Sequence, residues 1–60
     1  KAAEAQPLFQ KALDIRRKVL GENHPATANS YNNVAGNLNA QWKAAEAQPL
    51  FQKALDIRRK

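Results

Sequence analysis

The sequence predicts an all-α fold built from antiparallel helix-turn-helix repeats, and three observations lead to that fold class. Residues 1–18, KAAEAQPLFQKALDIRRK, recur letter for letter as residues 43–60. Within each copy the apolar residues follow the three- and four-residue spacing of a helix. Between the copies, Gly21 and Pro25 mark a break in that pattern. The copies begin 42 residues apart, and a period of this size indicates stacked repeats that bury apolar surface against their neighbours.

The first copy predicts a helix over residues 1–20. Its apolar stripe is broader than a one-sided surface helix needs, which suits a helix that contacts two neighbours. Pro7 removes one hydrogen bond near the start without moving the stripe out of phase, and Gly21 is typical of a helix stop. The stripe contains Ala5, Leu8, Phe9, Ala12, Leu13 and Ile15 and continues through Val19 and Leu20.

Residues 25–41 predict a second helix. Pro25 suits its first turn, with either Asn23 or His24 as the cap. Its Asn and Gly content lowers its intrinsic helix propensity, so propensity alone would not select this sequence. The residues expected to face the core are Tyr31, Val34, Ala35 and Leu38.

The second copy predicts a third helix over residues 43–60, after a turn near Gln41–Lys43. Its stripe contains Ala47, Leu50, Phe51, Ala54, Leu55 and Ile57. The three helices form one predicted unit over residues 1–60, equal to one period plus 18 residues of the next. An exact copy of this kind arises either by recent duplication or by deliberate consensus, and both origins stay open.

Composition argues against catalysis. The five carboxylates are dispersed, the single histidine has no second histidine with which to share a metal, and there is no cysteine. No Ser/His/Asp set and no Gly-rich phosphate loop is present. We therefore expect no enzymatic activity, cofactor or metal. No apolar run approaches the roughly 20 residues of a membrane span, so we expect no membrane partner. The lack of cysteine leaves the redox compartment open, and we favour the cytoplasm.

The net charge of +5 comes largely from the basic runs at residues 16–18 and 58–60. One interpretation is a surface that attracts nucleic acid. The other is that these cations sit in the last turns of helices, where the helix dipole favours them. We favour the second, because no aromatic residues alternate with the basic ones as a base-stacking surface would require.

Two short segments resemble the tetratricopeptide repeat family in its longer, 42-residue form, known from kinesin light chains and bacterial arrays. LGENHP at residues 20–25 and YNNVA at residues 31–35 are similar to signatures of the light-chain type. The resemblance covers essentially the whole chain and implies the helix order B–A–B of an α-solenoid fragment. Its packing positions correspond to Tyr31, Val34, Ala35 and Leu38 in helix A and to Ala47, Phe51 and Ala54 in helix B, repeated as Ala5, Phe9 and Ala12.

Several positions depart from the family pattern. Trp42 stands where the family usually has a turn glycine, and Gly36 and Asn37 replace apolar residues of helix A. Ala2 and Ala44 replace an aromatic residue, which leaves space that Trp42 could fill.

The resemblance implies a protein–protein interaction scaffold that binds peptides through helix A in a longer array. The implied peptide-binding residues are Asn29, Asn32, Asn33 and Asn39. A second hypothesis is a self-assembling structural module without a small ligand, because helices at the ends of the fragment leave apolar faces uncovered. The expected partners are therefore other proteins or peptides, or further copies of the chain through its helix B faces. Nucleic acid is the less favoured alternative.

Overall fold

The computed structural model describes residues 2–59 and consists of three α-helices in that range. Helix α1 spans Ala2–Leu20, α2 spans Pro25–Ala40 and α3 spans Ala44–Arg58. Helices α1 and α3 each pack against α2. The start of α1 lies beside the end of α2, where Gln41 Nε2 donates to Gln6 Oε1 at 2.8 Å. The all-α, antiparallel fold class is therefore confirmed.

The loop between α1 and α2 ends the first helix at a glycine and begins the second helix with a capping side chain. Gly21 adopts a φ of +92°, a left-handed conformation that favours glycine. His24 is the N-cap of α2, and its Nδ1 accepts a hydrogen bond from the Ala26 N–H at 3.0 Å. Thr27 Oγ1 donates to the Gly21 carbonyl at 2.8 Å. Of the two cap residues that the sequence allowed, the structure selects His24.

The α2–α3 turn, residues Gln41–Lys43, ends α2 in a different way. The Lys43 N–H donates to the Leu38 carbonyl at 2.9 Å and the Trp42 N–H donates to the Asn39 carbonyl at 3.0 Å. This pair of bonds is a Schellman motif, which places Trp42 at the position that usually holds glycine. Trp42 has a φ of +63°, which costs a residue with a Cβ about 1–2 kcal/mol.

The Trp42 side chain does not fill a space in the fold. It is 95% exposed, so the expectation that it replaces a missing aromatic residue is wrong. The left-handed backbone of the turn directs the ring away from the helices, and no packing compensates for the cost of that conformation.

The core follows the length of α2. Polar Thr27, Ser30 and Asn37 are buried with the apolar residues, and no buried side-chain nitrogen or oxygen of the described residues lacks a hydrogen-bond partner. Small residues on α2 allow both neighbours to approach closely. The core residues are Leu13, Ala28, Tyr31, Val34, Ala35, Leu38, Ala47, Ala54 and Ile57.

The two identical helix sequences bury different faces. Leu13 of α1 is 2% exposed, whereas its counterpart Leu55 of α3 is 48% exposed. Ile15 of α1 is 52% exposed, whereas its counterpart Ile57 is 4% exposed. The broad stripe in the sequence is therefore two adjoining faces, one of which binds α2 in α1 and the other in α3.

This difference corrects one sequence-based expectation. Phe9 and Phe51 occupy equivalent positions and were both expected to be largely buried. Phe51 is only partly buried against the core, and Phe9 is exposed. Phe9 lies on the face of α1 that α3 uses to contact α2, and within the described chain no second helix of the α2 type covers it.

We expect Ile57→Ala and Ile15→Ala to have different effects although they change the same residue in the same local sequence. Ile57→Ala removes buried volume and should lower the free energy of unfolding by about 2–5 kcal/mol. Ile15→Ala should change it by less than about 0.5 kcal/mol, because the side chain is half exposed. Urea unfolding at low protein concentration measures both values. Equal losses for the two variants would contradict the two-face arrangement.

Candidate interaction surface

Helix α2 is covered on two sides and exposes one continuous stripe. The exposed positions recur every three or four residues, so they lie along a single face of the helix. None of them is charged, and α2 as a whole contains no charged residue. The stripe, called here the Asn face, consists of Pro25, Asn29, Asn32, Asn33, Gly36, Asn39 and Ala40.

The structure brings all four asparagines of the predicted peptide-binding set onto the Asn face. Asn29, Asn32, Asn33 and Asn39 are each exposed. One of the four already has a partner, because Arg58 Nη2 donates to Asn29 Oδ1 at 3.0 Å. The arginine comes from α3, so this end of the Asn face carries a positive charge supplied by its neighbour.

The fifth asparagine of α2 has a structural role instead. Asn37 is buried, and its Oδ1 accepts a hydrogen bond from Gln41 Nε2 at 2.8 Å. The same Gln41 nitrogen donates to Gln6 Oε1 of α1 at 2.8 Å. This amide network fixes the start of α1 against the end of α2 and explains why a polar residue can replace an apolar one at position 37.

Gly36 has no structural requirement for glycine. A Cβ built at this position would meet no atom within 4 Å. A glycine inside a helix costs about 0.5–1 kcal/mol relative to alanine, and nothing in the fold uses the missing side chain. The missing side chain leaves the helix backbone accessible in the middle of the Asn face, so another molecule can approach it closely there.

The opposite end of the hairpin is held by Arg16 of α1. Its Nη1 donates to Ser30 Oγ at 2.9 Å and to the Ala26 carbonyl at 3.2 Å. The counterpart of Arg16 in α3 is Arg58, which contacts Asn29. The basic runs at the helix ends are thus partly used to join helices.

Glu22, in the loop after α1, links all three helices. Its carboxylate accepts hydrogen bonds from the Tyr31 hydroxyl and from Arg17 Nε, the latter at 3.0 Å. Lys53 Nζ of α3 lies 3.6 Å from Glu22 Oε1. Sequence reasoning missed this cluster, because a single acidic residue in a loop gives no signal that a tyrosine and two cations will surround it.

The cluster shifts the pKa values of its members. The hydrogen bond from Tyr31, aided by Arg17 and Lys53, holds the pKa of Glu22 below its usual 4.5, against the smaller opposing effect of burial. Burial and the adjacent carboxylate raise the pKa of Tyr31 to about 12. At neutral pH the phenol therefore keeps its proton and continues to donate to the ionised Glu22.

A charged groove of about 430 Å³ adjoins this cluster and is lined by Asp14, Arg17, Lys18 and Glu22. Its lining carries two acidic and two basic groups, and Arg17 and Glu22 already form an ion pair. Such a mixed lining does not favour an anion or a cation. No group of three His, Cys, Asp or Glu residues between 2 and 59 could hold a metal ion.

The second candidate surface is apolar and lies mainly on α1. It is the face of α1 that corresponds to the buried face of α3, together with the end of the helix. The exposed large apolar residues on α1 are Leu8, Phe9, Ile15, Val19 and Leu20. On α3 the exposed large apolar residue is Leu55, whose counterpart in α1 is the buried Leu13. No helix among the described residues is long and apolar enough to cross a membrane.

Comparison with known proteins gives a family match over the complete chain. A family model described as tetratricopeptide repeat matches residues 1–60. No curated protein and no solved structure matches the chain.

The Glu22 cluster predicts an acid-sensitive contribution to stability. Because the pKa of Glu22 is lowered on folding, its contribution is fully present above pH 4.5 and is lost as the pH falls below that value. Glu22→Gln should lower the free energy of unfolding by about 1 kcal/mol at pH 7. The difference from the unmodified chain should shrink towards pH 3.

Thermal unfolding between pH 7 and pH 3 measures this difference. Glu46→Gln, which makes the same chemical change on the exposed first turn of α3, is the matched control. It removes an interaction with the dipole of one helix and no contact that joins helices, so it should destabilise the chain less than Glu22→Gln at pH 7. A destabilisation by Glu22→Gln that stays constant over this pH range would contradict the role of the ionised carboxylate.

Proposed function

The chain belongs to the tetratricopeptide repeat family, and we propose that it is an interaction module whose Asn face binds an extended peptide. The family mediates protein–protein interactions and is of a non-catalytic scaffold type. The finer assignment, peptide binding through α2, is our proposal for this chain.

The observation that carries the proposal is that the fold does not require the composition of the Asn face. Asn32, Asn33 and Asn39 are exposed, and asparagine and glycine are both weak helix formers. Alanine at these positions would give a more stable helix, so the reason for their presence lies outside the packing of the chain. An interaction with another molecule supplies such a reason.

The chemistry of the Asn face suits a peptide backbone. Each asparagine amide offers two N–H donors and a carbonyl acceptor, which match the alternating carbonyl and N–H groups of an extended chain. Gly36 allows that chain to approach α2 between the asparagine side chains. With no charge on α2 itself, recognition rests on hydrogen bonding, and the charge of Arg58 acts at only one end.

The basic helix ends support this proposal over a nucleic-acid surface. Arg16, Arg17 and Arg58 each donate to a group within the chain. A phosphate-binding surface depends on cations that are available to neutralise phosphates. Arginines that hold the helices together are less available for that purpose.

A second candidate function is self-assembly through the apolar face of α1. Ile15 and Phe9 are exposed there, while their counterparts Ile57 and Phe51 pack against α2. The identical sequence in α3 buries this face against α2, so the face can pack against a helix of that type. Contiguous exposed apolar surface of this kind is typical of an interface.

The peptide proposal is tested with a displayed library of random peptides selected against the 60-residue chain. Peptides that bind should lose at least about tenfold in affinity to Asn32→Ala/Asn33→Ala and to Gly36→Ala, because each change removes donors or closes the backbone approach. Helicity by circular dichroism should stay equal or rise, since alanine has the higher propensity.

Gln48→Ala/Gln52→Ala, on the exposed side of α3, is the matched control and should retain binding. Selection of no binding peptide, or affinity that survives the Asn32→Ala/Asn33→Ala change, would show that the Asn face is not the peptide site.

The self-assembly proposal is tested by sedimentation at several concentrations without prior unfolding. Ile15→Lys should remove the rapidly reversible association and the rise of the melting temperature with protein concentration. Gln10→Lys adds the same charge to an exposed position of α1 and should leave both unchanged. A monomer mass at high micromolar concentration for the unmodified chain would exclude assembly through this face.

A further inference from the structure

The α2–α3 turn is the one strained element in the described backbone, and its strain has no structural benefit within the chain. Trp42 is the non-glycine residue with a positive φ, and its ring is almost completely exposed. We propose that two copies of this chain exchange α3, with residues 41–43 becoming helical so that α2 and α3 join into one continuous helix. In the exchanged dimer, α3 of each copy packs on α2 of the other.

Straightening of the turn removes the unfavourable conformation at Trp42. In the hairpin this residue must be left-handed, whereas in a continuous helix it adopts ordinary right-handed angles. The turn between α1 and α2 offers no such gain, because Gly21 accepts a positive φ without strain. Pro25 also lacks an N–H for a helix that would pass through it. Exchange is therefore confined to α3.

The sequence of the turn is compatible with a helix. Residues 40–44 read Ala-Gln-Trp-Lys-Ala and contain neither glycine nor proline. Lys43, the N-cap of α3, makes no side-chain capping bond, so the first turn of α3 lacks the side-chain acceptor that most helix starts have. In a continuous helix, carbonyls at the end of α2 would accept hydrogen bonds from N–H groups at the start of α3.

The partner must be a second copy of this chain. A straightened α2–α3 segment leaves the α3-binding side of α2 bare, and an identical α3 restores its contacts, including Ala54 and Ile57 in the core. The contacts of Lys53 with Glu22 and of Arg58 with Asn29 would then form between chains. Because α2 and α3 are antiparallel in the hairpin, two straightened segments pair antiparallel about a two-fold axis, which closes the assembly as a dimer. Short, strained connections favour this kind of exchange.

The test compares two substitutions at one position. Trp42→Gly relieves the strain of the hairpin and weakens the continuous helix, so it should lower the dimerisation constant at least about tenfold. Trp42→Ala keeps a Cβ in the left-handed turn and is a good helix former, so it should dimerise as well as the unmodified chain. Each protein is refolded from denaturant at high micromolar concentration, and its mass is measured by sedimentation velocity.

Solution scattering supplies a second measurement. A helix over residues 25–58 is about 51 Å long, whereas the longest dimension of the hairpin form is 30 Å. The exchanged dimer should show the longer dimension and should survive dilution for hours, because dissociation requires release of α3 from the partner. Circular dichroism verifies that both variants fold.

Three results would overturn the proposal. The first is a monomeric unmodified chain after refolding at high concentration. The second is equal dimerisation of Trp42→Gly and Trp42→Ala, which would assign association to another surface. The third is loss of the dimer in both variants, which would assign it to the indole ring itself. Persistence of the dimer in Ile15→Lys separates exchange from assembly through the face of α1.

Discussion

The packing of the three described helices depends on α2 having two sides that can be buried. Helix α1 packs on one of these sides and helix α3 packs on the other. Fully buried small residues such as Ala28, Ser30 and Ala35 let both neighbours approach closely. The absence of charge on α2 removes the desolvation cost that charged side chains would add between two helices.

The use of one helix sequence on two different sides of α2 follows from this arrangement. A helix that can bind α2 through either of two faces must carry apolar residues around a wide arc. With one α2 helix among the described residues, one of these faces stays uncovered on α1 and on α3. Leu13 lies on the face that α1 buries, and its counterpart Leu55 leaves the same face exposed in α3. Ile57 lies on the face that α3 buries, and its counterpart Ile15 leaves that face exposed in α1. The exposed apolar residues of each copy therefore belong to the face that the other copy buries against α2.

Polar interactions determine how the helices are aligned and leave one face free. The amides of Gln6, Asn37 and Gln41 join one end of the α1–α2 pair, and Arg16 joins the other. Glu22 draws groups from all three helices to the loop. Asn29 on the outer side of α2 accepts a hydrogen bond from Arg58 of α3. Asn32, Asn33 and Asn39 on that side are exposed and take no part in these interhelical contacts.

The sequence by itself determined the all-α class, the family and the polar stripe of α2, because helical periodicity, Gly21 and Pro25 act locally. It could not separate the two faces within the apolar stripe, since identical residues such as Phe9 and Phe51 differ only in which helix lies beside them. The Glu22 cluster and the exposure of Trp42 were also decided by the tertiary structure. Both depend on the path of the backbone through a turn and on residues distant in sequence, which local pattern does not specify.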